Sequence, residues 1–90
     1  MSQPIDHQKA MGMFNDALNE MKSSLTKLGD MRLKGSKKDL EKTMHSMYEE
    51  LEESIQHFDK TNSQDHFRQA IYKLEVVKPA FILNYNELLD

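Results

Sequence analysis

The chain has no cysteine and no tryptophan, only two prolines and three glycines, and no long apolar run. Each absence excludes something. Without cysteine there is no disulfide framework, no zinc-finger pattern and no thiol nucleophile. Scarce proline and glycine, few β-branched residues and abundant Leu, Met, Glu, Lys and Gln point to an all-α chain. No window approaches the ~18 apolar residues of a membrane span. The opening Met1-Ser2-Gln3-Pro4-Ile5-Asp6 lacks the basic flank and apolar stretch of a signal peptide, so a cytoplasmic location is the default expectation. A net charge of -3 lacks the basic footprint on which nucleic-acid binding relies, so that class of partner is disfavoured.

Motifs of catalysis are missing as well. There is no Gly-rich phosphate loop and no Gly-x-Ser-x-Gly elbow. Di-iron bundles use Glu-x-x-His pairs, but the residues three before His7, His45, His57 and His66 are Pro4, Lys42, Ser54 and Ser63. Neither a catalytic residue nor a cofactor site is therefore expected, and the reading is of a non-enzymatic protein.

What is present is helical periodicity. Met11, Phe14, Leu18, Met21, Leu25 and Leu28 recur at alternating steps of three and four, as do Met44, Tyr48, Leu51, Ile55 and Phe58, and again Phe67, Ala70, Leu74, Val77 and Phe81. Each series is the stripe of a helix with one buried face. Leu40 to Phe81 thus reads as an antiparallel hairpin closed by the turn Lys60-Thr61-Asn62-Ser63, with Ser63 as N-cap and Asp65 near the positive end of the following helix. The ninety residues are predicted to form one domain, an antiparallel up-down-up three-helix bundle with helices over about 5–28, 37–59 and 63–89. Its shape should be elongated, each helix being roughly 35 Å long.

Local signals place the ends. Pro4 suits a first turn, Gly29 a C-terminal cap, and Ser36 with Asp39 a capping box. Pro79 removes one backbone hydrogen bond and predicts a kink or an early stop. Gly12, inside the first helix, is expected to mark tight packing or a weak first segment. Ala10, Ala17 and Ser24 line the side of the first stripe with small residues. Among the methionines, Met11, Met21, Met44 and Met47 fall at core phases, whereas Met13 and Met31 do not.

After Pro79 the apolar residues go around the helix instead of keeping to one side, so part of that surface is left over. Two readings follow. In one, Tyr85 and Leu88 cap the core against Met31 and Leu33. In the other, Met31, Leu33, Phe81, Ile82, Tyr85, Leu88 and Leu89 form a patch for a protein partner or a second copy of the chain, with Arg32, Lys34, Lys37 and Lys38 as its charged rim. The charge pattern supports a basic end: Lys27 to Lys42 is rich in lysine, whereas Thr43 to Asp59 holds five acids and no Lys or Arg. That end could dock an acidic partner or phosphate, and no aromatic residues are interleaved to stack bases.

Three weaker patterns remain. Glu53 and His57, with Asp59, Asp65 and His66 around the turn, carry ligand types for a divalent metal, which makes a metal-binding protein built on the acidic second helix the alternative reading. His45 beside Glu41 and Glu49 reads as helix surface. Glu49-Glu50-x-x-Glu53 with Glu87-x-x-Asp90 resembles the paired acidic motif of MazG-type nucleotide pyrophosphatases, yet hairpin geometry sets Glu53 opposite Gln69 and leaves Glu87 on the order of 25 Å away. Finally, Leu40 to Leu89, through Leu51 to Phe58, the short polar turn and Ala70 followed by Lys73-Leu74, resembles the helical hairpin of the J-type co-chaperones that serve iron–sulfur cluster assembly. That resemblance implies a scaffold-binding module. The chain has no J-domain and no His-Pro-Asp motif, and Glu75-Val76-Val77 stands where that family favours basic and aromatic residues.

Overall fold

The computed structural model describes residues 6–90. Three helices account for nearly all of them: α1 (His7–Met31), α2 (Ser36–Thr61) and α3 (Gln64–Leu89). Short connections return each helix antiparallel to the one before, giving the expected up-down-up bundle. It measures 51 × 19 × 17 Å. The hairpin of α2 and α3 is its most extensive contact, and α1 lies on that hairpin, closer to α2 than to α3.

The three predicted stripes supply the core. Phe14, Phe58 and Phe81 are its largest buried side chains, and Met21, Leu28, Met44, Leu51 and Ile55 fill the space between them. Near the α2–α3 turn each helix contributes one phenylalanine. Phe14 meets Phe58 edge-on at 5.8 Å, and Phe67 closes the trio at 5.3 Å from Phe58 and 6.0 Å from Phe14, separations at which aromatic quadrupoles attract. Met13 and Met31 are exposed while Met21 and Met44 are buried, as their phases predict.

Helix ends depart from the sequence reading for local reasons. α1 does not stop at Gly29; it continues to Met31, and Arg32 takes the left-handed conformation (φ 53°), its N–H donating to the Gly29 carbonyl at 3.3 Å. Leu33, packed against the core, gives the reason: the chain reverses where it can bury that leucine. Ser36 is not the cap of α2. Gly35 takes that place at φ 65° and ψ -137°, a region open to glycine, with no side-chain cap bond. The α1 cap is Asp6, whose Oδ1 accepts from Lys9 N–H at 3.1 Å; the expected first-turn role of Pro4 falls outside the described residues. Ser63 caps α3 as expected, its Oγ accepting from His66 N–H at 3.4 Å.

Pro79 does not end α3, which runs through to Leu89. Both Pro79 and Glu75, whose carbonyl loses the proline's absent N–H, are exposed, so water can satisfy that carbonyl while continued helix buries Phe81 and Leu88. At Gly12 a Cβ would meet nothing within 4 Å, so this glycine marks no close helix approach.

Candidate functional site

The basic end is built where α1 ends, α2 begins and α3 ends. Antiparallel packing brings these together: Leu88 and Glu87 of α3 share an open groove with Ser36, Lys37, Asp39, Leu40 and Thr43 of α2. Of the apolar residues expected there, Met31, Ile82 and Leu89 are about half exposed, at 47%, 46% and 52%. Leu33 and Tyr85 are half-buried against the core.

Phe81 and Leu88 are only 2% exposed, which corrects their assignment to the contact patch. They continue the α3 stripe of Ala70 and Val77 into the core, and a partner could reach them only by unpacking the bundle. All four rim residues, Arg32, Lys34, Lys37 and Lys38, are exposed. Lys38 has a second task, since its Nζ donates to Glu41 Oε1 at 3.0 Å.

Glu41 itself is 3% exposed, a buried carboxylate that the sequence reading named only as a neighbour of His45. Its position was legible. It stands three before Met44 and seven before Tyr48, on the extension of the α2 stripe. Burying a carboxylate is costly unless it is paired, and half-exposed Lys38 lays its stem along the helix to supply the charge.

The opposite end holds the groups weighed as metal ligands. Thr61 Oγ1 donates to the His57 carbonyl at 2.9 Å and accepts from Ser63 N–H at 3.2 Å and from His66 Nδ1–H at 2.6 Å. The rings of His57 and His66 are 5.8 Å apart. Asp59 is turned toward His7, whose Nε2 lies 2.8 Å from Asp59 Oδ1 and whose Nδ1 lies 3.0 Å from Asn62 Oδ1. Among the described residues, no three His, Asp or Glu side chains converge into a group that could hold a metal. The bond to Asn62, then that to Asp59, raises the His7 pKa above its ordinary 6.5, against a smaller opposing effect of desolvation.

Elsewhere, Tyr48 donates to Glu52 Oε2 at 3.2 Å, and its phenol is pushed above 10 by burial and then by the Glu52 charge. Lys73 pairs with Glu50 across the α2–α3 hairpin, and Lys78 with Glu20 on α1 at 2.8 Å. The first pair shows which residues face each other across the hairpin. With Glu50 beside Lys73 and Glu87 beside the start of α2, the two halves of the acidic motif do not meet within one copy.

Fold and surface together define a small three-helix bundle with an end that carries exposed apolar side chains among charges of both signs, Arg32, Lys34, Lys37 and Lys38 beside Asp30, Asp39, Glu87 and Asp90. No family model, curated protein or solved structure matches the chain. No helix among the described residues is long and apolar enough to cross a membrane.

Proposed function

We propose that this chain is a non-enzymatic, macromolecule-binding helical module, an adaptor, regulator or small chaperone of the cytoplasm, acting through the basic end of the bundle. One observation carries the reading: Met31 and Leu89 stay half-exposed at an end where Arg32, Lys34 and Lys37 are also exposed, and Ile82 is half-exposed about two turns further in along α3. Apolar anchors inside a charged rim are the anatomy of a protein contact. Asp30, Asp39, Glu87 and Asp90 are exposed at the same end, so the rim offers both signs and fits a protein partner that presents apolar side chains among charges of both signs.

The test is a pull-down from native lysate, comparing the wild type with Ile82→Glu/Leu89→Glu and with Lys34→Glu/Lys37→Glu. Both variants alter exposed positions and should keep full helical circular dichroism. Lys38 is left intact because it neutralises buried Glu41. A partner held by the wild type, released by either variant and weakened by added salt is the expected result. Capture that ignores both variants would overturn the assignment of this end. A divalent-metal titration followed by thermal melting addresses the metal-binding alternative: a binding module should keep its Tm, whereas a true site would raise it by mass action.

A further inference from the structure

Two histidines meet across the α2–α3 turn, and neither belongs to the core or to the proposed partner contact. His57, near the end of α2, is exposed, and His66, in the first turn of α3, is half-buried. Their ring centroids lie 5.8 Å apart with the planes at 50°. Thr61 sets the state of one of them. Its single hydroxyl proton goes to the His57 carbonyl at 2.9 Å, so its oxygen, 2.6 Å from His66 Nδ1, can only accept there. Neutral His66 therefore carries its proton on Nδ1 and its lone pair on Nε2. That is the state of a metal-ligating imidazole, whose other ring N–H is held by an oxygen.

We infer that His57 and His66 together hold one borderline transition cation, copper(II) most tightly, which bridges α2 to α3 beside their turn. With a metal–nitrogen bond of about 2.0–2.1 Å the ion stands roughly 3.2 Å from each ring centroid, so two rings on one ion lie about 4.5–6.4 Å apart as the angle between its bonds opens from ~90° to ~180°. The observed 5.8 Å falls inside that interval. Exposed His57 can turn either nitrogen to the ion. Charge does not choose the cation: Glu53 and Asp65 are offset by Lys60 and Arg68, all four exposed around the pair. The choice falls to the donor atoms. Imidazole suits copper, nickel and zinc, whereas magnesium and calcium take oxygen, and copper(II) stands highest in the affinity order of divalent first-row ions. Asp59, weighed earlier as a ligand, is engaged with His7, and among the described residues no third His, Asp or Glu converges here. Water completes the coordination, and the site is thereby distinct from one built on the carboxylates of the acidic second helix.

Calorimetric titration of the full chain with copper(II), at neutral pH in a buffer that does not chelate it, tests the site. One ion per chain is expected, with two nitrogen ligands in its electron paramagnetic resonance spectrum and a rise in Tm. His57→Gln and His66→Gln should each weaken binding by at least about tenfold, and Thr61→Val, which releases the His66 tautomer, by about tenfold. His45→Gln, about three turns back along α2, should bind as wild type. Binding should fade in mildly acidic buffer, because only neutral imidazole ligates. Magnesium, the probe of a site on the acidic second helix, should leave Tm unchanged, and the pull-down reads the opposite end, so neither result decides the other. Copper(II) that fails to bind wild type, or whose affinity is unmoved by either His57→Gln or His66→Gln, would overturn the inference. A Thr61→Val chain that binds as tightly as wild type would overturn the preset tautomer.

Discussion

The two ends of the bundle are built to different plans. At the turn between α2 and α3, three phenylalanines from three helices interlock, Ser63 caps α3, and His7 ties the start of α1 to Asp59 and Asn62. At the other end α2 starts on a glycine without a side-chain cap, and Met31 and Leu89 are about half exposed. The first end is knit by side-chain contacts among all three helices, though it too exposes Met13; the second leaves Met31 and Leu89 half exposed. On the proposed function, substitutions at the two ends should report different properties, stability at the first and partner binding at the second.

The largest contrast is between Phe58 and Leu89. Phe58→Ala would remove the ring that touches His7, Phe14 and Phe67, at a cost of about 3–5 kcal/mol. That is a large share of the stability of so small a domain, and urea denaturation should show a chain close to unfolding. Leu89→Glu should leave the midpoint within about 0.5 kcal/mol of wild type. Equal losses at the two positions would refute the separation.

Next in size is the Lys38–Glu41 pair at the open end. Removing the cation by Lys38→Ala leaves a carboxylate that is 3% exposed without its partner. The full cost of breaking a buried pair is roughly 3–5 kcal/mol, but Lys38 is half in water, so about 1–2 kcal/mol is expected. Glu41→Met, which replaces the charge with an apolar side chain of similar length, should be neutral or stabilising. Denaturation of the two variants side by side reads this asymmetry. Smaller still is Arg32→Gly: at φ 53° glycine avoids the Cβ clash that arginine suffers, so Tm should rise by the equivalent of about 1 kcal/mol.

These departures show how far the pattern of residues could be followed. The stripes through Phe14, Phe58 and Phe81 were legible because burial along a helix is periodic, and three of them leave few ways to pack. The same count puts Leu88, seven after Phe81, in the core, as the first of the two readings of the tail has it, and extending it would have placed Glu41, seven before Tyr48, beside the core as well. Helix ends were harder. Gly29, Ser36 and Pro79 are all local stop or start signals: burial of Leu33 overrode the first and burial of Phe81 and Leu88 the third, while at the second the adjacent Gly35 took the cap in a conformation open to glycine. The His7 contact, between residues far apart in the chain, carries no local signature.

That contact gives the smallest effect and the one that depends on pH. Both ring nitrogens of His7 face oxygen, Asp59 Oδ1 and Asn62 Oδ1, and only the imidazolium can donate from both. The C-terminus of α2, where these residues lie, favours the cation. Asp6 and Lys9 stand on its own helix; from α3 the nearest titratable groups at this end are Asp65 and His66, and His66 is bonded to Thr61. Because the folded pKa is raised above 6.5, the folded state binds the proton more tightly than the unfolded chain. The contribution is complete below the unfolded value and disappears as pH climbs through the folded one. Wild type should therefore exceed His7→Gln in Tm by its widest margin in mildly acidic buffer, and the margin should shrink as pH rises above neutrality. Leu89→Glu, at the other end, should show no such pH-dependent margin. A His7→Gln margin that stays constant or grows with pH would show that the ring holds α1 by packing on Phe58, at 5.1 Å, and not by charge.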